Sequence, residues 1–257
     1  MLEDKIREYI ETQKGNIAVV VKNLQRNEEI HINGELAFPS ASTIKLAIMS
    51  ETFNRVNKCS LKLDDMIEIN ENMLTGGDGI LKELNFGHKF TLEEIMILMI
   101  ILSDNMATNI LIDILGIDEI NKTINNLGLK NTKLQRKMMD FQAKKEGREN
   151  VITADDLGLL LELTYKGENI NEKYSNMMIN IMKRQQAKGR LDLYLPEVLI
   201  AHKTGDLDNL EHDAGIVYLP NTKYIICILT NETETNKDGR EIIGKISKMV
   251  YDEYLDI

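Results

Sequence analysis

The chain has few of the residues that would commit it to metal or redox chemistry. Among its 257 residues there are two cysteines, four histidines, three prolines and no tryptophan. The two cysteines, Cys59 and Cys227, lie far apart in the sequence and form no metal or redox motif. The histidines are scattered and form no H-E-x-x-H pair. We therefore expect neither a metal nor any other cofactor.

Long apolar runs and excess positive charge are also missing. The longest apolar run, residues 95–102, is too short to span a bilayer. The first residues are charged and amphipathic, and they lack the apolar segment of a secretory signal. The net charge of −10 argues against nucleic-acid binding as the main task. We expect no membrane or nucleic-acid partner and, for the chain as written, a cytoplasmic protein, or an exported one if a signal peptide was trimmed.

Three short motifs follow one another along the chain. Each supplies a part that acyl transfer through a serine needs, and each alone has an ordinary structural explanation. Their joint occurrence in this order is hard to explain by chance. They are S-x-x-K from Ser42 to Lys45, S-D-N from Ser103 to Asn105, and K-T-G from Lys203 to Gly205.

The first motif supplies a nucleophile and a base. A serine hydroxyl is a weak nucleophile without a base beside it, and a helix through Ser42 would place Lys45 one turn away. In the first turn of a helix, the N–H of Ser42 could form half of an oxyanion hole. Lys45 needs a lowered pKa to act as a base, and Lys203 is the candidate second cation. The alternative is a capping serine followed by a surface lysine.

The second motif follows a predicted buried helix over residues 92–102, and the end of a rigid element is a good place for catalytic groups. The hydroxyl of Ser103 could relay a proton to a leaving nitrogen. The side-chain amide of Asn105 could hydrogen-bond a substrate amide. The alternative is an N-cap, with Ser103 or Asp104 starting a helix over residues 106–115.

The third motif follows the apolar residues 198–201, which are predicted to form a strand. Lys203 and Thr204 could hold a substrate carboxylate by charge and hydroxyl. Gly205 permits close approach of the backbone, and the N–H of Asp206 could complete the oxyanion hole. The alternative is a strand end followed by a glycine turn.

With these motifs the sequence resembles the class A β-lactamases and, more widely, the superfamily of serine β-lactamases and penicillin-binding proteins. The resemblance extends beyond the motifs to residues 38–42, before the helix of Ser42, to residues 76–81 and to residues 212–217. By this comparison it covers nearly the whole chain.

The resemblance implies a mechanism. Ser42 would be acylated by a β-lactam, with Lys45 as the base or its partner. Ser103 would donate a proton to the lactam nitrogen, and Lys203 with Thr204 would bind the carboxylate of the substrate.

One position departs from the family pattern. Hydrolases of the family carry an arginine followed two residues later by a glutamate that activates the water for deacylation. Arg136 matches the arginine, but Met138 stands in the place of the glutamate, and Asp140 is the nearest carboxylate. Either Asp140 takes over, the loop is rebuilt, or deacylation is slow, because a general base contributes about 10²–10⁴-fold. The charged cluster at residues 144–149 is predicted to be a solvated helix end.

Apolar periodicity predicts strands near both ends of the chain and helices between them. We expect an α+β fold, with an antiparallel sheet flanked by the terminal helices and an inserted helical lobe, as in the serine β-lactamases. A single domain would cover residues 1–257, with an α/β lobe at about 1–52 and 186–257 and a helical lobe at about 53–185. The three motifs would meet in the cleft between the lobes.

Three functions are compatible with these observations. The first is a monomeric serine hydrolase of the β-lactamase type, which acts on small β-lactams. The second is a D-alanyl-D-alanine peptidase or esterase on the same fold. The third is a non-catalytic β-lactam-binding module, which Met138 suggests because it cannot accept a proton.

Overall fold

A computed structural model describes residues 1–26 and 28–255 of the chain. Residues 256–257 of the predicted domain lie outside the described residues. The strands are β1 (Asn16–Asn23), β2 (Glu29–Ile32), β3 (Phe38–Pro39), β4 (Met66–Glu68), β5 (Lys89–Thr91), β6 (Val151–Ile152), β7 (Leu199–Leu207), β8 (Leu210–Tyr218) and β9 (Lys223–Asn231). The α-helices are α1 (Leu2–Glu11), α2 (Lys45–Asn57), α3 (Leu92–Ile101), α4 (Asn105–Leu115), α5 (Ile117–Asn126), α6 (Phe141–Lys145), α7 (Ala154–Lys166), α8 (Glu172–Met182) and α9 (Asn236–Leu255).

Strands from the two ends of the chain form one five-stranded antiparallel sheet, in the order β2-β1-β9-β8-β7. In its registers Val20 of β1 lies opposite Cys227 of β9, and Lys203 of β7 lies opposite Ala214 of β8. The α+β fold with an antiparallel sheet is therefore confirmed. The motif K-T-G lies on β7, which is one of the two edge strands of this sheet.

Both faces of the sheet are buried, because side chains of a strand alternate between its faces. In β1, Ala18 and Val20 join the core shared with the central helices. Ile17, Val19 and Val21 join a second core beneath the terminal helices α1 and α9. The inner strands β1 and β9 consequently read as nearly continuous apolar runs. Cys227 is fully buried in the first core.

The middle of the chain is mainly helical, and its helices pack on one another around α3. Helix α3 contacts α2, α4 and α8, and its side chains Ile95, Met96, Met99 and Ile100 are buried. A helix that is apolar on almost all sides needs such a position. The lobe boundaries near residues 52 and 186 stay a prediction. No helix within residues 1–26 and 28–255 is both long and apolar enough to cross a membrane.

The structure corrects two local expectations. Strand β7 does not end before K-T-G but continues to Leu207, because β8 pairs with it along its whole length. Ser42 lies in a 3₁₀ turn, Ala41–Ile44, rather than in the first turn of an α-helix, and α2 begins at Lys45. The tighter turn still leads directly into the helix that carries the lysine.

A capping box at the start of α3 gives a test of stability. The hydroxyl of Thr91 accepts a hydrogen bond from the N–H of Glu94 at 3.1 Å, and the Glu94 carboxylate accepts one from the N–H of Thr91 at 2.7 Å. We expect Thr91→Ala to lower the free energy of unfolding by about 1 kcal/mol, measured by urea denaturation. Thr91→Ser keeps the hydroxyl and should recover most of this loss. Equal losses in both variants would contradict a role of the cap.

Candidate active site

The three motifs meet at one cleft beside the edge strand β7. Its lining includes Ser42, Asn105 and Asp206, together with Met138 from the loop between α5 and α6. Lys45, Ser103 and Lys203 lie directly behind this surface, where all three side chains are buried. The fold therefore brings the predicted site residues of all three motifs into one place.

The turn that carries Ser42 is held against β7. Ala41 has a φ of +44°, in the left-handed region that a residue with a side chain rarely adopts. A side chain at Gly205 would place its Cβ 3.0 Å from the backbone nitrogen of Ser42 and 3.2 Å from the Cβ of Ala41. The missing side chain of Gly205 leaves room for this approach, which puts the turn of Ser42 in contact with the K-T-G strand. Within the described residues, the Ser42 hydroxyl makes no hydrogen bond.

Two lysine side chains converge on the hydroxyl of Ser103. The Nζ of Lys45 donates to the Oγ of Ser103 at 3.1 Å, to the Ser103 carbonyl at 2.7 Å and to the Oδ1 of Asn105 at 2.9 Å. The Nζ of Lys203 donates to the same Oγ at 3.1 Å and to the carbonyl of Thr204 at 2.9 Å. Because the Ser103 oxygen accepts from both lysines, its own O–H is free to donate elsewhere.

Both lysines have lowered pKa values. Burial lowers the pKa of Lys45 well below 10.5, and the positive charge of Lys203 lowers it further. Burial also lowers the pKa of Lys203 to about 7, although the nearby Asp213 carboxylate opposes this change. Lys203 thus acts on Lys45 in the predicted direction, but the loss of solvation is the larger cause for both groups.

The turn of the S-D-N motif is fixed by the carboxylate of its aspartate. One oxygen of Asp104 accepts from the N–H groups of Ile80 and Leu81, at 2.7 and 2.9 Å, and the other accepts from the N–H of Ala107 at 2.9 Å. Asp104 is therefore the N-cap of α4, as the structural alternative predicted, and it also anchors the turn that presents Ser103. The φ of Ser103 is +55°, another left-handed residue at the site.

In the loop over residues 134–150, Met138 and Asp140 have different surroundings. Met138 lines the cleft, and its backbone is held by the side chain of Asn109 through bonds of 2.8 and 3.1 Å. Asp140 instead caps α6, where its Oδ1 accepts from the N–H of Ala143 at 2.9 Å, and it is not among the residues that line the cleft. The carboxylate nearest in sequence to Met138 is thus used to start a helix.

The charged cluster that follows is not a fully solvated helix end. Helix α6 ends at Lys145, and Glu149 turns back to the cleft, where its Oε1 lies 2.6 Å from the Nη2 of Arg136. Lys144 lies 3.4 Å from the other oxygen of Glu149. The prediction failed because this ion pair closes a loop between residues 13 positions apart. Charge pattern alone does not show such a pairing.

Sequence reasoning also missed Arg190. Its guanidinium lies beside the K-T-G strand and forms ion pairs with Asp206, at 2.9 Å, and with the buried Glu211, at 2.6 Å. No motif marks it, because it stands in an irregular segment before β7. An arginine that is almost fully buried near two carboxylates could have been suspected only from the tertiary structure.

Comparisons with known proteins agree with this geometry. The family model described as "Beta-lactamase enzyme family" matches residues 1–254. The β-lactamase VEB-1 of Pseudomonas aeruginosa is 26% identical over 98% of this chain and 90% of the relative. A β-lactamase of Sphaerobacter thermophilus has a crystal structure that is 27% identical, with a TM-score of 0.92, over 99% of this chain and 97% of its own. The structure of PBP-A is 28% identical, with a TM-score of 0.92, over 100% and 96%.

The fold, the converging lysines and these matches define a serine hydrolase of the β-lactamase type. The chain belongs to the β-lactamase enzyme family.

The lowered pKa of Lys203 predicts how stability depends on pH. The pKa of Lys203 in the folded protein is about 7, whereas the pKa of an unfolded lysine lies near its ordinary value of 10.5. Between these values the unfolded state binds more protons, so the free energy of unfolding rises with pH, by up to about 1.4 kcal/mol per unit. We expect this rise between pH 7 and 9 to shrink in Lys203→Met, measured by urea denaturation at each pH. The exposed Lys188→Met is the control, and a Lys203→Met curve parallel to the wild-type curve would contradict the prediction.

Proposed function

We propose that β-lactams acylate this enzyme at Ser42 and that the acyl group leaves slowly. The observation that carries the proposal is the convergence of Lys45 and Lys203 on the Ser103 hydroxyl, with both Nζ atoms 3.1 Å from its oxygen. This arrangement supplies a base, a proton relay and a cation at the cleft that Ser42 lines. Within the described residues, the hydroxyl of Ser42 makes no hydrogen bond of its own.

In the acylation step, Lys45 takes the proton of Ser42 as its oxygen attacks the lactam carbonyl carbon. Burial favours the neutral form of Lys45, which has the free electron pair that a base needs. When the C–N bond of the lactam breaks, Ser103 gives its proton to the leaving nitrogen and regains one from the Lys45 ammonium through their hydrogen bond. The products are an ester on Ser42, a secondary amine and a neutral lysine.

The negative charge that develops on the carbonyl oxygen needs donors that are already in place. The proposed donors are the backbone N–H groups of Ser42 and Asp206, which the contact at Gly205 brings onto the same side of the cleft. Asn105 would hold the amide of the substrate, and Lys203 with Thr204 would contact its carboxylate.

Slow deacylation follows from the loop at the cleft. Met138 has no group that accepts a proton. Asp140 is used as a helix cap, and Glu149 is paired with Arg136 and Lys144. The charge of Glu149 is thus balanced by two cations, and its Oε2, which accepts no hydrogen bond among the described residues, is buried. A neighbouring structure, 28% identical, is a mutant of PBP-A recorded as an acyl-enzyme complex with penicillin G. That complex supports an acyl-enzyme as an outcome available to this fold.

A second candidate is a peptidase or esterase on D-alanyl substrates, favoured by the same apolar Met138. Turnover of a D-alanyl ester without turnover of a lactam would favour this candidate over the first.

The acylation site is tested with penicillin G and intact-mass spectrometry. We expect the wild-type protein to gain the mass of one penicillin and Ser42→Ala to gain none, because the attacking oxygen is missing. Ser40→Ala is the matched control, since Ser40 lines the same cleft and belongs to no motif. An adduct on Ser42→Ala, or none on the wild type under excess reagent, would contradict acylation at Ser42.

The deacylation step is tested at Met138. Met138→Glu places a carboxylate in the cleft, and we expect the acyl-enzyme to decay faster by about 10²–10⁴-fold, the usual contribution of a general base. Decay is followed by intact mass after excess penicillin has been removed. Met138→Gln has nearly the same shape but cannot take the proton, so it should stay close to the wild type. Equal decay in the Glu and Gln variants would show that the residue acts through shape alone.

A further inference from the structure

We propose that His212 is a positioning residue for the nucleophile. By binding the carbonyl of Pro39, it holds the turn of Ser42 against the strand that carries Asp206. It acts through the backbone and does not touch the substrate. The inference rests on the proposed function, since it concerns the acylation of Ser42.

His212 lies on β8 next to the contact between the sheet and the turn of Ser42. In the register of β7 and β8 it is paired with Gly205, and paired residues of antiparallel strands point to the same face of the sheet. The turn Ala41–Ile44 rests on this face, because a Cβ at Gly205 would meet the backbone nitrogen of Ser42. Strand β8 itself also contacts the turn.

The imidazole of His212 binds the short strand that leads into this turn. Its Nε2 lies 2.9 Å from the carbonyl oxygen of Pro39, and its ring meets the ring of Phe38 edge-on, with 5.7 Å between the centroids. On the other side, β3 pairs with β6, and the N–H of Ser40 donates to the carbonyl of Asn150 at 2.7 Å. The strand β3 is therefore held from two sides just before the nucleophile.

The surroundings of the ring indicate which nitrogen carries the proton. Burial lowers the pKa of His212 to about 4, so the ring is neutral at pH 7 and has one N–H. The N–H of Thr230 donates to Nδ1 at 3.3 Å, which leaves the proton on Nε2, where it is donated to Pro39. With the proton on Nδ1, that bond to Glu211 O, at 2.8 Å, would be gained, but the bonds to Thr230 and Pro39 would both be lost.

The turn needs an anchor of this kind because it is strained. Ala41 has a φ of +44°, and such a conformation persists only where neighbouring contacts impose it. The missing side chain of Gly205 makes room for the turn but does not attract it, whereas the hydrogen bond from His212 does.

The two segments that His212 joins carry the proposed oxyanion donors. The N–H of Ser42 follows Pro39 by three residues, and the N–H of Asp206 follows Gly205 directly. Their separation decides whether both reach one carbonyl oxygen. A misplacement of about 1 Å costs about 10²-fold in rate, so we expect the bond to Pro39 to affect acylation more than substrate binding.

The test compares two amides at position 212. The amide of His212→Asn is too short to reach Pro39, whereas that of His212→Gln extends to the place of Nε2. Saturation of the acylation rate with penicillin G, followed by intact mass, separates the acylation rate constant from the dissociation constant of the non-covalent complex. We expect His212→Asn to lower the rate constant about 10–100-fold with little change in the dissociation constant, and His212→Gln to recover most of the rate.

Ser247→Ala is the matched control for a loss of stability alone. Its buried hydroxyl also donates to a distant backbone carbonyl, that of Leu191 at 2.8 Å, but it lies on α9. We expect this variant to lower the midpoint of urea unfolding and to keep the acylation rate constant.

Equal rate constants in the Asn and Gln variants, whether fast or slow, would overturn the inference while acylation of the wild type leaves the proposed function intact. If His212→Asn does not fold, His212→Leu takes its place, since it also lacks the donor. If penicillin G does not acylate the wild type, the proposed function fails and the inference fails with it.

Discussion

The burial of two ammonium groups around one hydroxyl is the constraint on which the rest of the site depends. Removing a lysine from water is costly unless its N–H groups find acceptors or it loses its proton. The oxygens of Ser103, Asn105 and Thr204 accept hydrogen bonds from Lys45 and Lys203, and burial lowers the pKa of both lysines. Those acceptors come from distant parts of the chain. The fold must therefore hold three segments in register for the chemistry to exist.

Buried polar contacts and strained backbone conformations hold these three segments in place. Asp104 joins the S-D-N turn to the loop at residues 80–81, and Gly205 lets the edge strand touch the turn of Ser42. Ala41 and Ser103 have left-handed φ values of +44° and +55°, each of which costs roughly 1–2 kcal/mol in a residue with a side chain. Such strain persists only where neighbouring contacts over-determine the conformation. It marks the places where the geometry of the site is imposed on the chain.

Much of the fold, and the meeting of the three motifs at one cleft, could be predicted from sequence because the signals are local. Apolar periodicity located most helices and strands, and the motif residues are few, adjacent and chemically specific. The sequence did not reveal that K-T-G lies inside β7, because polar residues usually mark the end of an apolar strand. Here the polar residues of the motif are buried in an edge strand that faces a cleft. Arg190 and Glu149 were missed for a related reason. Their partners are fixed by tertiary pairing, and no local pattern encodes that pairing.

The two halves of the proposed reaction are built from different kinds of structure. The acylating groups sit on a sheet edge and on helix starts that share the core, so changing them disturbs buried charge. The deacylating position lies on a loop whose carboxylates, Asp140 and Glu149, already serve as a cap and as an ion-pair partner. Met138 can therefore differ from the family pattern while the rest of the fold keeps its geometry. A chain built this way can change how long it keeps an acyl group without changing how it acquires one.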